Sequence, residues 1–434
     1  MVYFVQGILG LSRLGVTYLY KDEFHLDPAS VALLTSISAV PWVVKPLYGF
    51  LSDTVPILGY RRRSYLVICG VLGALSWAAM AAVVRSPVGA VAATVVGSLG
   101  TACSDVVVDS IVVERCRGHP QATAGSLQSL CWAAAALGGV ASAYFSGSLV
   151  EAWGPRGVFG LTAVFPLIVS AAAALIDEQP VAAPKLKASA DTRSAAAVLA
   201  GRLVAQLEAL WGAINQRSIL LPAAFVFLWQ ATPTAETAMF YFQTNALGFS
   251  PEFLGRVRLA GALASLAGVG VYNAALKEVP LRRMFLWTSI LGAGLGLTQI
   301  LLITGTNRAL GLSNELFVLG DSVVLTVLGQ VAFMPVLVLA ARLCPEGVEA
   351  TLFATLMSIL NGGAFTGSAL GSALTAALGV TADDFRLLWV LVAVCTLSSL
   401  LPLPLLWLVP DASGAEEAAR VVDERAAAAE EHRL

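Results

Sequence analysis

The sequence predicts an all-α polytopic membrane protein with about twelve transmembrane helices, and three observations carry that prediction. Of its 434 residues, 57% are hydrophobic and 12% charged, whereas a soluble domain carries roughly 25% charged residues to keep its surface in water. Apolar runs long enough to cross about 30 Å of hydrocarbon recur along nearly the whole chain, with short polar interruptions. Backbone amides in lipid need internal partners, and the alternation of apolar and polar residues that marks barrel strands is absent, so the runs are helices.

Hydropathy places spans near residues 2–20, 31–51, 64–84, 88–113, 122–149 and 156–177, then 218–245, 253–275, 281–304, 314–341, 348–378 and 385–408. Apolar sequence begins at Met1, so no cleavable signal peptide is expected before the first span. The longest internal polar stretch runs from Asp177 to Arg217. It holds Pro180, Pro184, Lys185, Lys187 and Arg193, then an amphipathic stretch up to Trp211. The chain therefore divides into an amino-terminal six-helix bundle (1–177), a linker (178–217), a carboxy-terminal six-helix bundle (218–408) and a polar tail (409–434).

Basic residues in short loops give the orientation. One side collects Arg61, Arg62, Arg63, Arg115, Arg117, the linker cluster, Lys277, Arg282, Arg283 and Arg342. The other side holds mainly Lys21, Arg85, Arg156 and Arg308. Both termini are expected with the basic loops, on the cytoplasmic side or its organellar equivalent.

The same inventory excludes several classes of function. His25, His119 and His432 all fall in loops or the tail, leaving no imidazole within a span to ligate haem or chlorophyll. The six cysteines lie in or beside apolar runs without metal-site spacing and read as small buried hydrophobes. A phosphate loop ending in Gly-Lys-Ser/Thr is absent, and nothing looks catalytic, so neither an ATP-driven motor nor an enzyme is expected. No cofactor, metal or nucleic-acid partner is expected; membrane lipid surrounds the chain, and a monomer is expected. The formal net charge of -2 sums loops on both sides of a membrane and says little about partners.

Six spans, a basic linker and six more spans resemble the layout of the major facilitator superfamily, in which two halves rock about a site near the bilayer midplane. Gly49-Phe50-Leu51-Ser52-Asp53, followed by Gly59-Tyr60-Arg61-Arg62-Arg63, resembles that superfamily's loop between helices 2 and 3. The resemblance implies a gate in which Asp53 and Arg61 to Arg63 latch the halves; the alternative is a solvated loop that only sets topology. Glu114 and Arg115, closing the fourth span on the basic side, join these gate candidates.

Longer stretches narrow the resemblance. Tyr3-Phe4-Val5-Gln6-Gly7, Pro41-Trp42-Val43-Val44-Lys45-Pro46-Leu47-Tyr48-Gly49-Phe50, Tyr60 to Tyr65, Asp105 to Arg115 and Gly125 to Ser129 are similar to the folate-biopterin transporter family. That resemblance implies a folate or pterin substrate. It also implies a cyanobacterial plasma membrane or a plastid envelope. Rival readings are a carrier of another organic anion, a bacteriochlorophyll-assembly-related carrier, and a non-transporting membrane receptor or assembly factor.

Charged side chains inside spans are costly in lipid and so face the protein interior or a water-filled cavity. In the first span Tyr3, Gln6, Gly10, Arg13, Thr17 and Tyr20 recur at helical spacing on one face. Arg13 either contacts a substrate carboxylate, such as folate's glutamate tail supplies, or pairs with an Asp of the fourth span. Asp105 and Asp109, four residues apart, share one face of that span. Two carboxylates this close in a low dielectric resist ionising together, so one holds a proton or a cation neutralises the pair. They bind substrate, carry a coupling proton, or serve as internal counter-ions.

Lys45 lies beside Pro46 inside the second span and either holds an anion or neutralises an Asp. Glu236, after Pro233, shares a stripe with Trp229, Thr232, Phe240 and Gln243 and suggests a cavity wall that stacks a flat ring. Asp321 in the tenth span is a further proton-coupling candidate, alongside Asp105, Asp109 and Glu236, and a possible partner for Arg256 or Arg258. Those two arginines sit near a span end and read as snorkelling towards headgroups. Gln128 and Asn361 are cavity hydrogen-bonding groups or helix-joining ones. The expected function is secondary transport by alternating access, with the proton as coupling ion.

Overall fold

A computed structural model of the protein describes residues 1–116, 121–176, 178–180, 201, 204, 215–276, 278–342 and 349–409. Apart from one bridge, Ile57 to Tyr60, every regular element among the described residues is helical. Among the described residues eight helical segments are long and apolar enough to cross a bilayer, one of them, Ala133–Ala174, holding two helices that meet at Gly154. Shorter or interrupted helices occupy the other predicted positions. We label them in chain order. In the amino-terminal half α1 is Val2–Glu23, α2 is the set Pro28–Ile37, Val40–Val43 and Lys45–Thr54, α3 is Arg63–Ala82 and α4 is Pro87–Cys116. Helices α5 (121–153) and α6 (155–174) turn at Gly154, whose positive φ no other residue type adopts cheaply. In the carboxy-terminal half α7 is Arg217–Gln230, Glu236–Tyr241 and Phe242–Ala246, and α8 is Pro251–Leu276. Then come α9 (Leu281–Ile303), α10 (Asn314–Arg342), α11 (Glu349–Ala377) and α12 (Leu388–Leu408).

The breaks have local causes. Pro41 and Pro46 open the second and third pieces of α2, because proline cannot donate to the preceding turn. Residues 231–235 of α7, which include Pro233, are non-helical. Their neighbouring carbonyls, on Gln230, Thr232 and Thr234, lie against Gly367 and Gly371 of α11, where no side chain stands in the way.

The two halves repeat one motif. Helix α1 ends in a π-helical turn at Leu19–Glu23, then a left-handed His25, then Asp27 and Pro28 at the start of α2. Helix α7 ends in a π-helical turn at Phe242–Ala246, then a left-handed Gly248, then Ser250 and Pro251 at the start of α8. One offset carries every member of the first set onto the second. It also carries Arg13 onto Glu236 and Thr35 onto Arg258.

The buried clusters are distributed unequally between the ends. At the end with the basic loops, Tyr65, Leu66, Cys103 and Val107 pack within the amino-terminal half. Phe225, Phe285, Val336 and Leu360 pack separately within the carboxy-terminal half. At the opposite, distal end both clusters span the halves: Leu14, Tyr18 and Val158 with Met239, Phe242 and Leu391, and Leu19, Tyr20, Val31 and Phe159 with Tyr241. Tyr18 meets Phe240 edge-on at 5.3 Å. Tyr241 donates its hydroxyl to the Leu26 carbonyl. Glu151 accepts from the Glu252 amide at 2.9 Å and Asp27 from the Ala382 amide at 3.1 Å. Beside that seal Arg386 holds the Asp384 carboxyl down at about 2 through side-chain and backbone hydrogen bonds, so the α11–α12 loop keeps its charges paired as pH falls to that value.

Glu178, just past α6, accepts from the backbone amides of Arg61, Arg62 and Arg63, at 2.7 Å from Arg61 and 2.7 Å from Arg63. An anion there satisfies amides that the first turn of α3 leaves without partners. Glu178→Ala is therefore expected to cost about 1–2 kcal/mol, the usual worth of such a cap, read as a lowered midpoint in detergent thermal unfolding.

Candidate functional site

A cavity of about 840 Å³ lies between the halves. Helix α1 supplies Tyr3, Gln6, Gly10, Arg13 and Thr17, α2 supplies Thr35, Ser38, Trp42 and Lys45, and α4 supplies Thr101, Asp105 and Asp109. The carboxy-terminal half adds Glu236 and Thr237 from the restart of α7, and Met357 and Asn361 from α11. Such a volume admits an organic solute of drug-like size.

One wall is a fixed polar network. Lys45 Nζ bonds Asp105 Oδ2 at 2.5 Å, and Gln6 Nε2 donates to Asp105 Oδ1 at 3.1 Å. The Lys45 ammonium also stands 4.8 Å from the centre of the Trp42 ring, a cation–π distance. One turn further along α4, Asp109 accepts from the Tyr3 hydroxyl. The two acids have thus been separated in role. Asp105 has a cation as partner; Asp109 has a neutral donor.

The opposite features are open. Arg13 is exposed to the cavity and has no side-chain partner among the described residues, and Glu236 is likewise exposed without one. Since one offset relates them, the cavity presents a cation from the first helix of one half and an anion from the first helix of the other.

Several expectations need correction. Arg13 does not pair with an Asp of α4; Lys45 takes that position, because the second piece of α2 breaks and restarts beside Asp105. Tyr20 leaves the α1 stripe and is wholly buried in the distal seal, since the π-helical turn shifts the helical phase. The α7 stripe also fails. Residues 231–235 are unwound, so Trp229, on the piece before the break, packs on Phe285 and not beside Glu236, while Phe240, one turn beyond Glu236 on the piece after it, packs on Tyr18. The aromatic surface of the cavity comes instead from Trp42, Trp77 and Tyr3. Asp321 bonds Thr298 at 2.8 Å and Gln299 at 3.3 Å rather than an arginine, and it is not a cavity residue. Arg256 is exposed and pairs with Glu252.

Asn361 does both things expected of it, lining the cavity and donating to the Trp42 carbonyl at 3.2 Å. The side chains of Gln128, Glu114 and Arg115 lie outside the described residues, as does most of the linker. Among the gate candidates Asp53 pairs with Arg62 at 2.6 Å, Arg62 also donates to Ser52, and Arg63 stands over Tyr60. All these contacts stay within the amino-terminal half. The sequence reading missed Thr35, Trp77, Glu151 and Glu178. The paired signals Asp27-Pro28 and Ser250-Pro251 would have exposed the repeat and, with it, the relation of Thr35 to Arg258.

The sequence pattern of the BT1 family matches residues 6–428. The chain is 50% identical over 94% of its length to "Folate-biopterin transporter" of Synechocystis sp., covering 80% of that protein. It is 31% identical to "Probable folate-biopterin transporter 4" of Arabidopsis thaliana, with 94% of each chain covered. "Putative folate transporter 2" of Plasmodium berghei is 30% identical, with 93% of this chain and 86% of that one covered. Among solved structures, nucleoside transporter NupG superposes with a TM-score of 0.67 at 15% identity, covering 94% and 96% of the two chains. A D-xylose-proton symporter superposes with a TM-score of 0.64 at 13% identity, covering 94% and 97%. The architecture is therefore that of the major facilitator transporters, and the chain is an integral membrane protein.

Proposed function

The chain belongs to the BT1 family, and on that premise we propose that it is a secondary transporter that moves folates or pterins across a membrane by alternating access of two six-helix halves. The observation that carries the reading is one cavity that presents a cation, Arg13, from one half and an anion, Glu236, from the other, neither with a side-chain partner among the described residues. A pterin ring carries neighbouring N–H donors that suit a carboxylate, and a folate adds an anionic glutamate end that suits a guanidinium. Trp42 and Trp77 offer faces on which a flat heterocycle stacks.

The sealed distal end and the separate clusters at the basic end support a conformation open towards the basic loops, the side on which the charge of the short loops puts both termini in this reading. Closing that side requires the halves to tilt, while Glu151, Asp27 and Tyr241 release their partners at the other. Asp109 is the proton-coupling residue in this reading. It faces the cavity with the Tyr3 hydroxyl as its one side-chain donor among the described residues, whereas Asp105 is committed to Lys45. Asp321, held by Thr298 and Gln299 away from the cavity, has no part in the proton path.

Uptake of radiolabelled folate and biopterin by protein reconstituted into liposomes, with and without an imposed pH gradient, tests the reading. Saturable uptake stimulated by an acidic outer compartment is expected. Asp109→Asn is expected to abolish the stimulation while exchange of internal for external substrate continues, since exchange needs no net proton movement. No saturable uptake of either compound overturns the substrate assignment. Retained stimulation in Asp109→Asn moves the proton site elsewhere.

A further inference from the structure

Proline at position 46 leaves a gap in α2 that the other half of the protein fills. In an unbroken helix the Trp42 carbonyl would accept from the amide of residue 46, and proline has no amide hydrogen to give. Asn361 of α11 donates its Nδ2 to that carbonyl at 3.2 Å. The repeat supplies a comparison. The offset that relates the halves carries Pro46 onto Val269, which has an amide, and α8 runs as one α-helix from Pro251 to Val271. Helix α2 instead stops at Val43 and restarts at Lys45, with Val44 at φ -105° and ψ 21° between the pieces.

The carbonyl lies where two cavity-lining pieces join. Val40–Val43 carries the Trp42 ring, and Lys45–Thr54 begins with the ammonium that stands 4.8 Å from the centre of that ring and bonds Asp105. The backbone angle at Val44 sets how ring and ammonium sit together, and the bond from Asn361 holds one side of that angle. Glycines beside Asn361 let α11 come close enough to make it. A Cβ on Gly362 would meet Val43 Cγ1 at 3.6 Å, and one on Gly363 would meet the Phe227 carbonyl of α7 at 2.9 Å. Within a membrane a helix break persists where neighbours satisfy the freed backbone groups, so this break is built by both halves.

Resting on the transport reading above, we propose that Asn361 is a positioning residue: by supplying the hydrogen that Pro46 lacks, the carboxy-terminal half fixes the α2 break and with it the Trp42–Lys45 face that the substrate meets. Asn361 acts through the Trp42 carbonyl and not by holding the substrate itself. The shape of a wall in one half is then set from the other.

Two measurements on the full-length protein test this. The first is uptake of folate and biopterin into liposomes by wild type, Asn361→Leu, which has similar size and no donor, and Asn361→Gln, which keeps one. Stranding the carbonyl is expected to raise the KM for both compounds about 10- to 100-fold in Asn361→Leu, with Vmax per folded protein little changed and part of the loss recovered in Asn361→Gln. A merely structural role lowers Vmax at unchanged KM, and an unchanged KM overturns the proposal. The second is thermal unfolding in detergent of wild type, Asn361→Leu, Pro46→Ala and the double variant, a cycle that isolates their coupling. Pro46→Ala gives residue 46 an amide for the Trp42 carbonyl, so Asn361→Leu is expected to lower the midpoint in the wild-type background and much less in the Pro46→Ala background. An equal drop in both, or no drop in either, overturns the proposal, since a residue that only touches substrate does not depend on Pro46. Should Asn361→Leu alone fail to fold, a folded double variant upholds the proposal and an unfolded one overturns it. Failure of the transport reading looks different: wild type then takes up neither compound. In that event the unfolding cycle alone decides, and a smaller drop in the Pro46→Ala background upholds the proposal.

Discussion

Lys45→Met is expected to destabilise the protein by about 3–5 kcal/mol, the cost of stranding one member of a buried ion pair. Asp105 is 7% exposed, and the lysine is its cationic partner at 2.5 Å. Gln6, at 3.1 Å, remains but is neutral. The pair itself need not be stabilising relative to apolar residues of similar volume, because desolvating two charges consumes most of their attraction. The double variant Lys45→Met with Asp105→Leu is therefore expected to recover most of the loss. Thermal unfolding in detergent distinguishes the outcomes. If the double variant melts as low as the single one, the damage comes from lost packing against Trp42 and not from an orphaned charge. The double variant also separates stability from transport, since it retains a folded protein without the α2–α4 pair.

Gly255→Val is expected to lower uptake by about 10- to 100-fold while leaving the protein folded. A Cβ at position 255 would meet the Gly147 Cα at 2.7 Å and its amide nitrogen at 2.8 Å. Backbone cannot rotate aside as a side chain can, so α5 and α8 must separate. Overpacking of this kind costs about 1–3 kcal/mol, and every 1.4 kcal/mol shifts a population about tenfold. The sealed conformation is the one penalised, because the contact belongs to it. Met239, 6% exposed within the distal cluster, reports the shift as Met239→Cys. A membrane-impermeant maleimide should label it faster in the Gly255→Val background. Unchanged labelling and unchanged uptake would show that the halves do not pivot on this glycine contact.

The spans were legible in the sequence because hydropathy records where lipid lies, and lipid acts on every residue of a span. The interruptions in α2 and α7 were legible only as prolines, Pro41, Pro46 and Pro233. A proline marks where a helix is weakened, not how many residues unwind. Five unwound residues in α7 were enough to break the helical phase between Trp229 and Glu236. The π-helical turn at Leu19–Glu23 had no sequence signal, and it took Tyr20 out of the cavity.

The polar residues singled out within spans share one place: Arg13, Lys45, Asp105, Asp109, Glu236 and the neutral Asn361 all line the cavity. Partners were another matter. Hydropathy and periodicity give each helix a face but not its neighbour's rotation, so nothing in the chain alone favoured Lys45 over Arg13 as the partner of Asp105.

The clusters shared by the halves at the distal end bear on the temperature dependence of transport. Opening that end brings Leu14, Tyr18, Met239 and Phe242 towards water, and exposure of apolar surface carries a positive heat-capacity change. The opening equilibrium then follows a curve rather than a straight line against reciprocal temperature. Because apolar association weakens on cooling, chilling the membrane loosens this closure even as it slows every other motion of the protein.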